Sequence, residues 1–217
     1  MKNNKTNIYM VFSPINRCGK SLFSISLAQK LAKLGKTLLV TFDEYEGVYR
    51  QFSFECTSDL SDIIHSFNTG SLTPKAMLNG IYHFGDADYI APARYPSMIK
   101  QKTDILNVLN HIGKSLHYQY IVVDVGANRS IVNSIIESKE VSILMPVLGD
   151  WISQCKVNEY KEFLITRGFQ ATVDRIKELY IPYDSMLNLP APKPEDFAEG
   201  DMGKYVSSVL DSVIKPC

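Results

Sequence analysis

The stretch Phe12-Ser-Pro-Ile-Asn-Arg-Cys-Gly-Lys-Ser21 joins the first predicted strand, Ile8 to Phe12, to the first predicted helix, Lys20 to Leu34. The strand is short, apolar and rich in aromatic and β-branched residues. The helix carries apolar residues at helical spacing, and Gly35 is predicted to end it as a C-terminal cap. In a parallel sheet, ligands bind at the carboxyl ends of strands. The stretch is therefore both a fold signal and a candidate site.

The same alternation of strand and helix continues along the chain. Further strands are predicted at Leu38 to Phe42, Asp88 to Ala91, Tyr120 to Val125, Val141 to Val147 and Leu179 to Ile181. Further helices are predicted at Asp59 to Phe67, Pro74 to Gly80, Ser97 to Leu116, Asp150 to Arg167 and Asp201 to Ile214. Apolar strands separated by helices indicate a mostly parallel sheet covered on both faces. We predict a three-layer α/β fold in which residues 1–217 form a single domain, with the closing helix packed on the sheet.

Composition narrows the class of protein. The 217 residues are 45% hydrophobic and 21% charged, which excludes a disordered chain. Lys plus Arg and Asp plus Glu both number 23, so no global basic excess favours nucleic acid, and we predict no specific nucleic-acid partner. The four scattered cysteines indicate free thiols in a reducing cytoplasm. No apolar run reaches the roughly 20 residues of a membrane-spanning helix, so no transmembrane segment is predicted.

Gly19-Lys20-Ser21 matches the end of the P-loop pattern G-x-x-x-x-G-K-[ST], although Pro14 replaces its first glycine. Gly19 lets the backbone curl so that successive amides point at phosphate oxygens, and the helix N-terminus adds partial positive charge. The Lys20 ammonium would neutralise the β and γ phosphates. The Ser21 hydroxyl would ligate Mg²⁺.

Asp124 lies next to the end of the predicted strand Tyr120 to Val125. An acidic residue after an apolar run is what P-loop proteins use to hold the water shell of Mg²⁺. The alternative is a strand-end carboxylate that caps the next helix. Together with the Gly19-Lys20-Ser21 match, Asp124 predicts a site for a nucleotide and Mg²⁺. We find no N/T-K-x-D motif of the kind that reads guanine, which favours ATP.

These residues resemble the deviant P-loop ATPases of the ParA/MinD group, and the likeness runs over most of the chain. The K-G-G-x-G-K-[ST] loop of that group aligns with Ile15 to Ser21, and its D-x-D strand end with Thr41-Phe-Asp43. Its Walker B strand resembles Tyr120 to Asp124, and a late turn near the base resembles Ile181-Pro-Tyr-Asp184.

The resemblance implies roles for individual residues. Lys20 and Asp43 would be the catalytic residues. The metal would be held by Ser21, Asp43 and Asp124. The nucleotide would be bound by Asn16, Arg17, Cys18, Gly19, Lys20, Ser21, Leu22 and Pro182.

Within the group, the loop form S-P-x-x-R-C-G-K-S and the following Phe42-Asp-Glu-Tyr-Glu-Gly47 are most similar to the CpaE/TadZ branch. Those proteins localise pilus-assembly machinery at the cell pole of bacteria. The resemblance implies a nucleotide-switched positioning protein that forms an ATP-dependent homodimer and recruits a protein partner at the pole or in secretion or pilus machinery. We expect a cytoplasmic location, or a peripheral one at the membrane or pole.

Two departures from the family pattern concern hydrolysis. In the family dimer, a signature lysine reaches the partner's nucleotide. The aligned residue here is Ile15, whose uncharged side chain cannot bind a phosphate. Arg17 is a candidate substitute, and the alternative is a solvent-facing loop cation. The first aspartate of D-x-D falls on Thr41, which leaves only Asp43. Because phosphoryl transfer depends on positioning and electrostatics, we predict at most a slow ATPase.

Two other functions fit the same fold. A degenerate, nucleotide-free scaffold is favoured by Pro14 and Thr41, and it is disfavoured by the retained phosphate and metal residues Lys20, Ser21, Asp43 and Asp124. An ATP-using enzyme, such as a bacterial tyrosine autokinase or an ATP-driven synthetase, is the third possibility. Autokinases of this type carry a terminal tyrosine cluster, and Val206 to Cys217 contains no tyrosine.

Overall fold

The computed structural model describes residues 5–42, 52, 56–95, 104–126, 132, 135–136, 138–182 and 193–214. In these residues seven strands form one sheet: β1 (Asn7–Val11), β2 (Thr37–Thr41), β3 (Tyr82–Phe84), β4 (Ala87–Ile90), β5 (Tyr120–Asp124), β6 (Val141–Val147) and β7 (Ile176–Tyr180). Their order across the sheet is β3-β4-β2-β5-β1-β6-β7. All neighbours pair in parallel except β3 with β4.

Helices connect the strands. In the described part of the chain they are α1 (Lys20–Ala32), α2 (Leu60–Asn68), α3 (Pro74–Asn79), α4 (Ile105–Leu116), α5 (Trp151–Thr166), α6 (Gln170–Val173), α7 (Asp196–Glu199) and α8 (Asp201–Ile214). They cover both faces of the sheet, which gives three layers. None of these helices is long and apolar enough to cross a membrane.

The two faces of β1 explain why the layers form. Side chains alternate across a strand, so Ile8 and Met10 enter one core with α2, α4 and α5, whereas Tyr9 and Val11 enter another with α1, α7 and α8. Both sets are almost fully buried. A strand buried on both faces must be apolar throughout, and this is the pattern from which a parallel sheet was predicted.

The predicted strands are confirmed, with two differences. The hairpin strand β3 was not predicted, because its three residues follow a turn with no sustained alternation. The last strand begins at Ile176 and ends at Tyr180, so the predicted bounds of Leu179 to Ile181 were wrong. The charged residues Lys177 and Glu178 interrupt the apolar pattern near its start, so the sequence did not predict this part as strand. An edge strand tolerates such residues, and here Glu178 pairs with Lys161 of α5.

Two helix ends also differ from prediction. The first helix ends at Ala32, and Lys33 is its cap, so Gly35 does not cap it. Gly35 instead allows close packing, because a Cβ there would lie 1.5 Å from Oε1 of Gln119. The helix predicted from Ser97 begins at Ile105 in the described residues. Asp104 is extended and caps it by accepting a hydrogen bond from the Asn107 amide. Residues 97–103 lie outside the described part.

The closing helix docks as predicted, and it does so mainly through α1. Its buried residues Met202, Val206 and Val213 join the core that contains α1 and α7. The corner between α7 and α8 is tight, because Gly203 lies against the carbonyl oxygen of Ala198. This corner brings Met202 towards the start of α1, where the candidate site lies.

We expect Gly203→Ala to destabilise the protein. A Cβ at Gly203 would lie 2.1 Å from the Ala198 carbonyl oxygen, and a backbone atom of a packed corner cannot swing aside as a side chain can. The clash should outweigh the helix propensity that alanine adds, and the free energy of unfolding should fall by about 1–3 kcal/mol. Urea denaturation measures this change.

Gly149→Ala is the matched control, because no atom lies within 4 Å of a Cβ built there. We expect its effect to stay within about 0.5 kcal/mol. Equal stability of the two variants would contradict the tight corner.

Candidate functional site

The loop between β1 and α1 lies at the carboxyl edge of the sheet, near its centre. The Phe12 amide donates to the Leu144 carbonyl of β6 (3.0 Å), and the Val125 amide donates to the Val11 carbonyl (3.3 Å). The pairing of β1 between β5 and β6 therefore continues into the loop on both sides. Inside the loop, the buried Ser13 hydroxyl accepts from the Ile15 amide (3.2 Å).

Two residues of the loop have left-handed backbone conformations. Arg17 has φ 57° and Gly19 has φ 77°. Glycine adopts this conformation freely, whereas for other residues it costs about 1–2 kcal/mol. Alternation of left- and right-handed residues turns successive amides into a concave surface that suits an anion. Strain at a non-glycine residue in such a loop is typical of functional sites.

The Lys20 ammonium lies inside the curve of this loop. Its Nζ donates to the carbonyl oxygen of Ile15 (2.7 Å) and lies 4.0 Å from Sγ of Cys18. The Cys18 thiol donates to the same carbonyl (3.3 Å). Lys20 and Cys18 are both buried. A buried positive charge is thus held against a backbone carbonyl of the loop.

The N-terminus of α1 has no side-chain cap. Gly19 occupies the N-cap position, and no acidic residue lies in the first turn. By contrast, the helices α2, α3, α4 and α5 are capped by side chains of Asp59, Thr73, Asp104 and Asp150. The first amides of a helix need an acceptor, and an uncapped N-terminus carries partial positive charge. The start of α1 therefore offers donors to an external anion.

Asp124 stands beside the loop on the neighbouring strand. It pairs with Val11 of β1 on one side and with Thr41 of β2 on the other. Its side chain is fully buried and accepts a hydrogen bond from the Gly126 amide (3.2 Å). The alternative role, a cap for the next helix, concerns residues 127–131, which lie outside the described part. The register brings the carboxylate to the same edge as Lys20.

The remaining predicted site residues divide into three groups. Ser21 is partly exposed in the first turn of α1, and Asn16 and Arg17 are exposed on the loop. Leu22 is buried in the core around α1, so its side chain serves packing. Asp43, together with Tyr183 and Asp184 of the predicted base-side turn, lies outside the described residues.

Ile181, the residue before Pro182, reaches the loop. Ile181 follows β7, and its amide donates to the Val147 carbonyl (3.3 Å). A Cβ on Gly19 would lie 2.8 Å from Cδ1 of Ile181 and 3.7 Å from Cε of Met202. Sequence reasoning missed the contact of Met202 with the loop. The helical pattern placed Met202 on a buried face, but no sequence signal says which element that face touches.

Ile15 occupies the position at which the family pattern has its signature lysine. Its side chain is 4% exposed and belongs to the core that contains Phe12, Cys18 and α5. It points into the protein, so the position is used for packing. Arg17 is the exposed cation of the loop.

No protein-family model and no curated protein sequence matches this chain. Solved structures do match it in fold. The ParA family ATPase from Chlorobium tepidum TLS aligns with a TM-score of 0.64 at 17% identity, over 93% of this chain and 81% of that one. A plasmid partition protein from Borrelia burgdorferi B31 bound to AMPPNP aligns with a TM-score of 0.63 at 15% identity, over 94% of this chain and 99% of that one.

A third similar structure is an enzyme. Cobyrinic acid a,c-diamide synthase from Mycobacterium smegmatis, with bound ADP and magnesium, aligns with a TM-score of 0.60 at 13% identity, over 95% of this chain and 82% of that one. At these identities the likeness shows the fold. The chain has the three-layer α/β fold of ParA-type ATPases, and the predicted fold class is confirmed.

The burial of Ile15 leads to a stability prediction. We expect Ile15→Lys to lower the free energy of unfolding by about 2–4 kcal/mol, because it places a charge among buried apolar residues. Arg17→Lys keeps the charge and the exposed position, and should change stability by less than about 0.5 kcal/mol. Chemical denaturation of both variants tests this. An Ile15→Lys protein as stable as the wild type would show that the side chain at position 15 can turn to the solvent.

Proposed function

We propose that the chain binds ATP with Mg²⁺ at the loop between β1 and α1, and that the bound nucleotide switches a protein that positions other components. The observation that carries this proposal is the uncapped start of α1, with the Lys20 ammonium held inside a loop that has two left-handed residues. Amides at an uncapped helix start and an ammonium beside them match the chemistry of a polyphosphate.

The residues present fit a nucleotide. The loop amides from Asn16 to Leu22 would bind the phosphates, and Lys20 would leave or share the Ile15 carbonyl to neutralise them. Pro182 is proposed to lie near the base, since its neighbour Ile181 contacts Gly19. Structures of the same fold carry AMPPNP or ADP.

A magnesium ion also fits the donor set. The Ser21 hydroxyl is a direct ligand of the kind Mg²⁺ prefers, and carboxylates at a strand end hold its water shell. Asp124 is fully buried beside the loop and can serve in this way. We propose Asp43 as the second carboxylate and as the residue that orients an attacking water. The ion would neutralise charge on the phosphates.

The positioning role rests on the loop motif and on the character of similar structures. The S-P-x-x-R-C-G-K-S loop is most similar to the CpaE/TadZ branch, and two matching structures are described as a ParA family ATPase and a plasmid partition protein. A ligand can switch a protein only by binding two states with different affinity. We propose that the γ-phosphate favours a homodimer, which then recruits a protein partner at the cell pole or in pilus or secretion machinery.

A second candidate is an ATP-using synthetase. It is favoured by the likeness to cobyrinic acid a,c-diamide synthase, which shares the fold. The two candidates differ in hydrolysis. A synthetase must couple phosphoryl transfer to a substrate at an appreciable rate, whereas a switch works with a slow turnover. The departures at Ile15 and Thr41 favour the switch.

The nucleotide site is tested by Lys20→Ala. We expect the affinity for ATP with Mg²⁺ to fall about 10- to 100-fold, because a charge-assisted hydrogen bond to phosphate contributes about 1.5–3 kcal/mol. Isothermal titration calorimetry measures the affinity. Lys33→Ala is the matched control, since Lys33 is the exposed cap at the far end of the same helix and pairs with Glu199. Wild-type protein that binds no nucleotide would favour the nucleotide-free scaffold.

Hydrolysis should be slow. Without a lysine at position 15, the negative charge of the transition state lacks one cation, and without an aspartate at position 41, the attacking water and the hydrated metal lack one carboxylate that would position them. We expect a turnover of about 10⁻² s⁻¹ or less, comparable with P-loop proteins that hydrolyse without help. Phosphate release from purified protein with saturating ATP and Mg²⁺ measures it. A rate near the ~10 s⁻¹ of ordinary enzymes would contradict the switch and favour the synthetase.

A further inference from the structure

A cavity of about 410 Å³ lies between α2 and α3, and we call it the α2–α3 cavity. It is separate from the loop between β1 and α1. The Leu60 amide at the start of α2 donates to the Ala91 carbonyl just beyond β4 (3.1 Å), and β2 and β5 separate β4 from β1 in the sheet. The volume is in the range of small-molecule sites, which combine apolar walls with a few polar groups.

Part of the cavity lining is apolar. Ile63 of α2 is buried and belongs to the core around α4, and Leu72 and Ala76 are half-buried residues of the same lining. A Cβ on Gly80 would lie 3.1 Å from Cδ1 of Ile63, so the residue that follows α3 lies close to α2. An apolar surface of this kind stabilises a bound alkyl chain by removing it from water.

Thr57 and Ser58 form another wall, which is held in place by Tyr82 of β3. The Tyr82 hydroxyl accepts from the Ser58 amide and donates to the Ser58 carbonyl, both at 2.9 Å. These two hydrogen bonds fix the segment before α2 to the sheet. The wall is therefore preformed, and a ligand would not have to order it on binding.

Three polar side chains of the lining have unused hydrogen-bonding atoms. Oδ2 of Asp62 accepts from the Ser58 hydroxyl and the Asp59 amide, both at 3.0 Å, whereas Oδ1 has no partner among the described residues. In the same part of the chain, the Ser66 hydroxyl and the Asn79 carboxamide also have no partner. Asp62 and Ser66 lie one turn apart on the same side of α2, and Asn79 comes from α3.

The charge of the cavity favours a cation. Asp62 is the charged residue among the described residues that line it, so no lysine or arginine of the lining neutralises the carboxylate. Asn79 is the last residue of α3, and the carboxyl end of a helix carries partial negative charge. A guanidinium binds best to two carboxylate oxygens, but Asp62 offers one. An ammonium has three donors, which match one carboxylate oxygen, one hydroxyl and one amide oxygen.

We propose that the α2–α3 cavity binds a primary alkylammonium group. The ammonium donates to Oδ1 of Asp62, to the Ser66 hydroxyl and to the Asn79 carboxamide, and the alkyl chain packs on the apolar lining. Two sources carry this group: a free small amine, and the side chain of a lysine on another protein. The proposal is independent of the nucleotide, because the cavity shares no residue with the loop between β1 and α1.

Titration of the nucleotide-free protein with pentylamine, followed by amide NMR, tests the site. We expect a saturable change in the amide signals of Ser58, Ile63, Ser66 and Gly80, with a dissociation constant of about 1–10 mM for so small a ligand. Pentanol has the same chain without the charge. It should bind at least about tenfold more weakly, because hydrogen bonds to charged groups are stronger than neutral ones.

A matched pair of variants separates the ligand contact from helix capping. Asp62→Asn removes the charge and keeps the shape, and it should raise the dissociation constant of pentylamine about tenfold or more. Asp104 also accepts a backbone amide at a helix start, but it does not line the cavity, so Asp104→Asn should leave binding within about twofold. Ala76→Leu fills the cavity without touching the Asp62 contacts, and it should also weaken binding at least tenfold. The amide spectrum shows that each variant is folded.

A second ligand distinguishes the two sources. Nα-acetyl-lysine N-methylamide carries the same ammonium on a peptide backbone. If it binds at least as tightly as pentylamine, the cavity accepts a lysine of another protein. If it binds clearly more weakly, the cavity takes a free amine.

Three results would overturn the proposal. The first is that neither ligand produces a saturable change at the cavity amides. The second is that pentanol binds as tightly as pentylamine, which would show that the cavity does not recognise the charge. The third is that Asp62→Asn or Ala76→Leu binds pentylamine as the wild type does.

Discussion

The candidate site depends on the parallel pairing of β1 between β5 and β6. This register places Val11 beside Asp124 and Leu144, so the loop that follows β1 leaves the sheet next to a buried carboxylate. Both faces of β1 are buried, which fixes the register, because a slip of one residue would exchange the two cores. The position of every loop residue follows from this constraint.

The loop between β1 and α1 is stabilised by hydrogen bonds between its own residues. The Ile15 carbonyl accepts from both Lys20 and Cys18, and the Ser13 hydroxyl accepts from the Ile15 amide. In the described residues no side chain caps the first amides of α1, whereas four other helices have a side-chain acceptor at their start. An uncapped helix start and a left-handed arginine both reduce stability. Their presence in one loop is consistent with selection for binding.

The sequence predicted those features of the fold and the site that local sequence patterns encode, and it missed those that depend on contacts between distant segments. The buried strands, the helix start at Lys20 and the place of Asp124 came from local patterns, namely apolar runs and a tripeptide at a junction. The contacts of Ile181 and Met202 with Gly19 join segments about 160 and 180 residues apart, and no local pattern encodes them. Gly35 was predicted to be a helix cap because glycine commonly follows a helix end. In the structure it leaves room for the side chain of Gln119, a residue distant in sequence that the fold places against it. The start of β7 was predicted wrongly because Lys177 and Glu178 break the apolar pattern, which an edge strand tolerates.

The burial of Ile15 connects the stability of the loop to its chemistry. An apolar side chain at this position packs with Phe12 and Cys18 and anchors the loop to the core around α5. A lysine at the same position would have to leave that core in order to reach a phosphate, and its departure would loosen the backbone whose carbonyl holds Lys20. The residue at position 15 therefore stabilises the loop by packing, and it does not add a positive charge to the site. Under the proposed function, any further cation for the transition state would have to come from an exposed residue, and Arg17 is the exposed cation that the loop provides.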